Sequence, residues 1–163
     1  MKQSLLVLMF LAFLLPTHAL ACRGDVVTVM DYMAGDWMVA DQQGNVLGYS
    51  EIREGAGGCA IRERWQGQDG LEGEAMFTAR DGGERWRMVW SDSDGLMLEL
   101  DGQRQNGNMV FTGAQESDQG QILHRIVYEL LFEIGEIHQR WEYSTDGGRR
   151  WQVFFAGWYL PDD

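Results

Sequence analysis

The side chains of this chain that could do chemistry are few, and two of them fall within aromatic segments. Glu63 and Gln139 each alternate with apolar or aromatic residues, so both are expected on the buried face of a strand. A carboxyl group in such a layer has a raised pKa unless a partner offsets the cost of burying its charge. A concave aromatic surface with few polar groups is typical of a small-molecule site. We therefore expect the following residues to contact a ligand: Glu63, Trp65, Trp86, Trp90, Gln139, Trp141 and Tyr143.

Glu63 also admits two other interpretations. It could pair with an arginine and stabilise the fold, or it could act as the general acid or base of a cavity enzyme. The sequence contains no Gly-x-Ser-x-Gly elbow, no phosphate loop and no dinucleotide fingerprint. No catalytic residue is therefore assigned, and the favoured function is binding of an apolar or amphiphilic small molecule without catalysis. A further alternative is a filled barrel whose outer surface binds a periplasmic partner.

The histidines predict no metal or cofactor site. His138 shares its face with Arg140 and Glu142 and is expected at the surface, whereas His124 shares its face with apolar residues and is expected inside. A lone interior imidazole among aromatic side chains is also what a haem site needs, so haem remains an alternative. The histidines and cysteines offer no zinc spacing, and the segment Ser91–Gly95 predicts a turn rather than a calcium loop.

Residues 1–21 have the pattern of a secretory signal peptide. An apolar run from Leu5 to Leu15 is followed by small residues at Ala19 and Ala21, as signal peptidase requires, and the run is too short to cross a bilayer as a helix. We expect the protein to be exported to a periplasm or secreted, with no transmembrane segment in the mature chain. The mature chain, residues 22–163, is expected to form one domain.

The charge of the mature chain excludes one class of partner. Lys2 is the only lysine, and its removal leaves 12 arginines against 25 acidic residues, a formal net charge of −13. Nucleic acid is not an expected partner, because its binding is driven by basic groups that release counterions from phosphates.

Cys22 and Cys59 are the only cysteines. An even number in an exported chain predicts pairing, so a Cys22–Cys59 disulfide is expected. The alternative is that Cys22 is the lipid-modified first residue of a lipoprotein. Against this alternative, Ala19 and Leu20 stand where such signals prefer a leucine and then a small residue.

Ten short runs rich in Trp, Val, Ile, Phe and Tyr are separated by clusters of Gly, Asp, Asn and Gln, a pattern that predicts an all-β fold. Only Val26 to Met33 suggests a short helix. The predicted strands are Trp37–Asp41, Val46–Glu54, Cys59–Gln66, Glu74–Arg80, Arg85–Ser91, Leu96–Asp101, Met109–Gln115, Gln121–Leu130, Ile134–Ser144 and Trp151–Leu160.

The short glycine-bearing connections predict hairpins between antiparallel neighbours. A meander of this length either exposes two long edges or closes on itself, so we predict a single up-and-down β-barrel. Alternation then predicts which residues face inwards. They are Cys59, Ile61, Glu63, Trp65, Trp86, Met88, Trp90, Ile137, Gln139, Trp141, Tyr143, Trp151, Val153, Phe155 and Tyr159.

Gly35-Asp36-Trp37 at the start of the first strand resembles the Gly-x-Trp signature of lipocalin and calycin barrels, in which the tryptophan caps the closed end. Further residues extend this resemblance along nearly the whole mature chain. Together, Gly58-Cys59, Glu63, Trp65, Trp86, Trp90 and the block from Gln139 to Tyr159 resemble a bacterial calycin-like family that carries a domain of unknown function. Members of that family often have Gln where this chain has Met88. The resemblance implies a barrel and brings no agreed substrate.

The motif Ser144-x-Asp146-x-Gly148-x-x-Trp151 resembles the Asp-box hairpin of sialidases. Aspartate can accept backbone N–H groups within a turn, glycine supplies positive φ, and the tryptophan packs beneath. The motif is therefore expected to stabilise a turn and to have no glycosidase activity.

Overall fold

A computed structural model, which describes residues 30–162, shows a closed barrel of ten antiparallel strands. Consecutive strands pair along the chain, and the first strand also pairs with the tenth, so each strand has two neighbours and the sheet has no free edge. The predicted all-β up-and-down barrel is confirmed. The strands are β1 (Gly35–Ala40), β2 (Val46–Gly55), β3 (Ala60–Gly67), β4 (Glu72–Arg80), β5 (Arg85–Asp92), β6 (Met97–Gln105), β7 (Asn108–Ser117), β8 (Gly120–Leu131), β9 (Glu136–Ser144) and β10 (Gln152–Pro161).

Local turn chemistry produces the hairpins. Asn106 and Gly107 both have positive φ, at 51° and 89°, as the two-residue turn between β6 and β7 requires. Between β5 and β6, the side chain of Asp92 accepts the backbone N–H groups of Asp94 and Leu96, at 3.1 and 3.0 Å. The segment Ser91–Gly95 thus has the turn geometry expected from its sequence.

The turn between β9 and β10 is built in the same way. Ser144 Oγ accepts the N–H of Gly148 at 2.9 Å, and Asp146 Oδ1 accepts the N–H of Arg150 at 2.9 Å. The guanidinium of Arg125 lies 4.3 Å from the centre of the Trp151 ring, so this tryptophan packs beneath a cation on the outside of the barrel. The predicted inward orientation of Trp151 is therefore wrong.

The start of β10 departs from regular alternation. The pairing of β10 with β9 shifts between Val153 and Phe155, and one extra residue in a strand reverses the faces on either side of it. Val153 is 51% exposed, so its predicted inward orientation is wrong. At the start of β9, Ile134 and Gly135 donate to the carbonyl of Leu131 and belong to the preceding turn rather than to the predicted strand.

Since consecutive strands run in opposite directions, their connections alternate between the two ends of the barrel. The residues before β1 cover one end, which we call the closed end. Trp37 is buried there, and its Nε1 donates to the carbonyl of Met33 at 2.9 Å, while the hydroxyl of Tyr32 donates to the carbonyl of Leu131 at 3.3 Å. Met30 and Asp31 are helical, and the rest of the helix predicted from Val26 lies outside the described residues.

Side chains fill the barrel from the closed end to its middle. The rings of Phe77, Phe111 and Tyr128 pack edge to face in pairs, with centroids 5.4 to 6.0 Å apart, and all three are fully buried. Trp86 is also fully buried, and its Nε1 donates to the carbonyl of Gly83 in the turn before β5. An internal cavity lies towards the opposite end, which we call the open end.

Polar residues on the outer face form ion pairs. Glu142 points outwards as predicted, but it is only 6% exposed because the guanidinium groups of Arg125 and Arg140 contact it at 2.6 and 2.9 Å. His138 stacks on Trp158 with ring centroids 4.1 Å apart, which places it on the outer face with Glu142.

Several predictions concern residues outside the described range. The predicted signal peptide, residues 1–21, lies there entirely, and so does Cys22, the residue on which both the disulfide and the lipid-anchor predictions depend. The part of the chain that the structure describes contains no helix long and apolar enough to cross a membrane.

Candidate functional site

An aromatic cavity occupies the open end of the barrel. It reaches the surface beside Phe154, which is 58% exposed, and six aromatic side chains line it: Trp65, Trp90, Trp141, Phe154, Phe155 and Tyr159. Its volume is about 60 Å³, measured by the positions that the centre of a water molecule can occupy. Because one water needs about 10 to 15 Å³ on this measure, the cavity has room for about five waters or an organic group of similar size.

Five of the seven residues expected to contact a ligand line this cavity, namely Glu63, Trp65, Trp90, Gln139 and Trp141. The other two lie elsewhere. Trp86 is packed towards the closed end, and Tyr143 lies on the far side of Phe154 and donates its hydroxyl to Gln152 at 3.1 Å.

The remaining lining residues were not named as ligand contacts from the sequence. They are Leu71, Met88, Asp92, Phe154, Phe155 and Tyr159. Met88, Phe155 and Tyr159 fall on faces predicted to point inwards, so alternation was a sufficient signal for them. Phe154 borders the same cavity as its neighbour Phe155 because of the shift in β10, which alternation in the sequence does not reveal.

Glycines in the wall make room for the tryptophan rings. A Cβ atom at Gly73 would lie 2.3 Å from Cζ2 of Trp90, and one at Gly48 would lie 2.6 Å from Cη2 of Trp65. Both indoles therefore lie against a strand that carries no side chain at that point. This arrangement keeps the rings at the wall and leaves the centre of the open end unfilled.

Asp92 lies at the open end of the cavity and fixes two of its neighbours by hydrogen bonds. One of its carboxylate oxygens accepts Nε1–H of Trp90 at 3.0 Å, and the other accepts the two turn amides already described. The same carboxylate thus fixes both the turn after β5 and the orientation of a cavity tryptophan.

A buried hydrogen-bonded chain forms the floor. Ser50 Oγ donates to Oε1 of Glu63 at 2.7 Å, and the hydroxyl of Tyr159 lies 3.0 Å from the same oxygen and 2.6 Å from Oε1 of Gln139. Nε2 of Gln139 donates to the hydroxyl of Tyr128 at 3.2 Å. These five residues come from β2, β3, β8, β9 and β10, so the chain ties together strands far apart in the sequence. No arginine takes part, so the predicted alternative of a Glu63–arginine pair is not found among the hydrogen bonds and ion pairs of residues 30–162.

The hydrogen bonds of this floor favour the protonated form of Glu63. The hydroxyl of Tyr159 carries one proton and faces two acceptor oxygens, one on Glu63 and one on Gln139. Both contacts are satisfied when Glu63 is itself protonated, because Tyr159 then donates to Gln139 and accepts from Glu63. Burial raises the pKa of Glu63, and this outweighs the lowering by its hydrogen bonds with Ser50 and Tyr159.

The ionisation of Glu63 predicts a pH-dependent stability. The pKa of Glu63 in the folded protein lies above the ordinary value of 4.5. The contribution of Glu63 to the free energy of unfolding is therefore fully present below pH 4.5, and it is lost as the pH rises through the folded pKa. Glu63→Gln mimics the protonated acid, so the variant should gain stability relative to the wild type as the pH increases. The slope is limited to about 1.4 kcal/mol per pH unit for one proton. Urea unfolding of both proteins between pH 4 and pH 8 measures it.

Glu74→Gln is the matched control for this experiment. Glu74 lies on the outer face of β4 with its side chain 54% exposed, and its variant should follow the wild type within a few tenths of a kcal/mol at each pH. A difference between Glu63→Gln and the wild type that does not change with pH would contradict the assignment.

His124 does not fit the haem alternative. It is buried as expected, but its Nδ1 accepts Nε1–H of Trp141 at 3.1 Å, and its Nε2 lies 3.4 Å from Oε1 of Gln115. Both ring nitrogens are thus engaged, burial lowers the pKa of the imidazole, and His124 does not line the cavity. Within residues 30–162, no group of three or more His, Cys, Asp or Glu side chains is arranged to hold a metal ion.

Comparisons with known proteins add no assignment. No protein-family model matches the chain, and no curated protein is significantly similar to it. The calycin-like resemblance seen in the sequence therefore stays a prediction.

Proposed function

We propose that the protein binds a small apolar or amphiphilic molecule in the aromatic cavity at the open end of the barrel. The observation that carries this proposal is the cavity itself, which reaches the surface, is lined by six aromatic side chains and has a floor of buried polar groups. Ligand sites typically combine such apolar walls with a few polar groups that orient the ligand. The small volume limits the ligand, or the part of it that enters, to a group of about five non-hydrogen atoms.

The proposal includes export and a calycin-like relationship. Export is supported by the signal-like pattern of residues 1–21 and by the two cysteines of the mature chain. The relationship is supported by Gly35-Asp36-Trp37, since Trp37 lies at the closed end of the barrel as the tryptophan of that signature does in lipocalins.

Tryptophan fluorescence tests the proposal directly, because three of the seven tryptophans line the cavity. A panel of butanol, butylammonium, butyrate, toluene and choline would be titrated into the protein. At least one compound should quench the fluorescence saturably and raise the melting temperature. Trp90→Phe should weaken the binding of that compound at least about twofold, since the smaller ring loses part of an aromatic contact worth about 1 kcal/mol, or about fivefold in affinity.

Trp158→Phe is the control, because Trp158 stacks on His138 outside the barrel and should not affect binding. If no compound changes either the fluorescence or the melting temperature, the proposed function is wrong.

A further inference from the structure

We infer that the group held in this cavity is a small organic cation of the alkylammonium class, such as a trimethylammonium head group. This inference rests on the proposed function and adds the charge of the ligand. Three properties of the lining support it, namely its aromatic rings, its polar atoms and its size.

The rings surround the cavity from several strands. Three pairs of rings are in contact, with their centroids 4.7 to 6.1 Å apart. The pairs are Trp65 with Phe155, Trp90 with Trp141, and Phe154 with Trp141. Neighbouring rings that are inclined to one another form a box rather than a flat stack. A cation inside such a box is attracted by the negative faces of the rings, most strongly by tryptophan, and aromatic boxes of this kind recognise quaternary ammonium groups.

The polar groups of the lining are two carboxyl groups, one amide, one hydroxyl and the indole N–H groups of the tryptophans. The cavity is bordered by the carboxyl groups of Glu63 and Asp92, and no lysine, arginine or histidine lines it within the described part of the chain. Nε1–H of Trp90 is donated to Asp92, and Nε1–H of Trp141 is donated to His124, so neither of these two indoles is available to a ligand. Among the described residues, the third lining indole, Trp65, is the one whose N–H makes no hydrogen bond.

The remaining amide donor is also engaged. Nε2 of Gln139 is directed at Tyr128, and the hydroxyl of Tyr159 is committed to the floor. An anion would meet two carboxyl groups without a compensating cation, and burying it would be costly. A quaternary ammonium group needs no hydrogen-bond acceptor, and it is attracted by the carboxylate of Asp92 and, at a pH that ionises Glu63, by that of Glu63 as well.

Size and overall charge agree with this class of ligand. A tetramethylammonium group has five non-hydrogen atoms, which matches the space for about five waters. A substituent on the nitrogen can leave past Phe154, where the cavity meets the surface. The chain also carries a formal charge of −12, which raises the local concentration of cations near the protein.

Choline and its uncharged carbon analogue 3,3-dimethyl-1-butanol separate charge from shape. Both would be titrated into the full mature protein at pH 8, which favours ionised carboxylates, with tryptophan fluorescence and calorimetry as readouts. Choline should bind at least tenfold more tightly than the alcohol. In Glu63→Gln, choline should lose at least fivefold in affinity, while the alcohol should change less than twofold. Glu74→Gln, on the outer face, should change neither.

Each outcome decides between hypotheses. Equal binding of the two probes, tighter binding of the alcohol, or binding of butanol, butyrate or toluene without choline or butylammonium overturns the cation inference and leaves the proposed function standing. Absence of binding across the whole panel overturns both. The comparison of choline with the alcohol needs only the wild-type protein, so it remains decisive even if Glu63→Gln does not fold.

Discussion

Replacing Trp37 by alanine is expected to lower the free energy of unfolding by about 3 to 5 kcal/mol, the cost of removing a buried aromatic side chain. The indole is 6% exposed, contacts the ring of Tyr159 with centroids 6.4 Å apart, and donates Nε1–H to the carbonyl of Met33. The substitution would leave a cavity at the closed end and release the segment that covers it. A domain of this size has about 5 to 15 kcal/mol of stability, so the loss is a large share of the total.

Urea unfolding monitored by circular dichroism measures this loss. Trp37→Phe keeps an aromatic ring but removes the N–H donor, so it should fall between the wild type and Trp37→Ala. Trp158→Ala removes a tryptophan from the outer face and should cost only about 1 kcal/mol. Equal losses for Trp37→Ala and Trp158→Ala would show that Trp37 has no special role in closing the barrel.

Gly73→Ala is expected to abolish ligand binding and to lower the free energy of unfolding by about 1 to 3 kcal/mol. The added Cβ would lie 2.3 Å from Cζ2 and 2.4 Å from Cη2 of Trp90, far inside van der Waals contact. The indole would have to leave the wall, and the unfilled cavity is the space beside it. Since that cavity has only about 60 Å³, a displaced indole would occupy it.

Gly55→Ala is the matched control for this prediction. Gly55 also lies in a strand and has an extended backbone, with φ of −145°, and the atom nearest to an added Cβ is 3.9 Å away. Gly55→Ala should therefore keep both binding and stability. A crystal structure of Gly73→Ala with Trp90 in its original position, or unchanged binding, would contradict the prediction.

A second substitution distinguishes steric displacement from a change in the backbone. In the double variant Gly73→Ala with Trp90→Phe, the smaller ring should relieve the overlap. The double variant should then lose less free energy of unfolding than the two single variants lose together. A double-mutant cycle measures this difference as a favourable coupling. Additive losses would show that the two sites do not act on each other.

Much of the barrel could be predicted because its signals are local. Alternation of side chains along a strand and the chemistry of short turns depend on residues within a few positions of one another. These signals correctly placed Glu63, Gln139 and Trp141 inside the barrel and His138 outside it. They failed at Trp151 and Val153. A shift in the pairing of β10 with β9 reverses which side chains point inwards, and the alternation of residue types in the sequence does not show this shift.

The candidate site depends on contacts between residues that are far apart in the sequence, and local sequence patterns do not predict such contacts. Glu63 and Tyr159 are 96 residues apart and meet only because β1 pairs with β10 and closes the barrel. Likewise, the sequence shows that Trp86 and Trp90 share a face. Which of them packs towards the closed end and which lines the cavity follows from where the segment before β1 covers the barrel.

Local periodicity and turn residues thus specify ten strands and most of their inner faces, because these properties arise from neighbours in the chain. The depth of the cavity, the partners of Glu63 and the absence of basic groups among the residues that line the cavity arise from contacts between distant strands. Those contacts are set by barrel closure and register, which depend on packing of the whole sheet and not on any one segment.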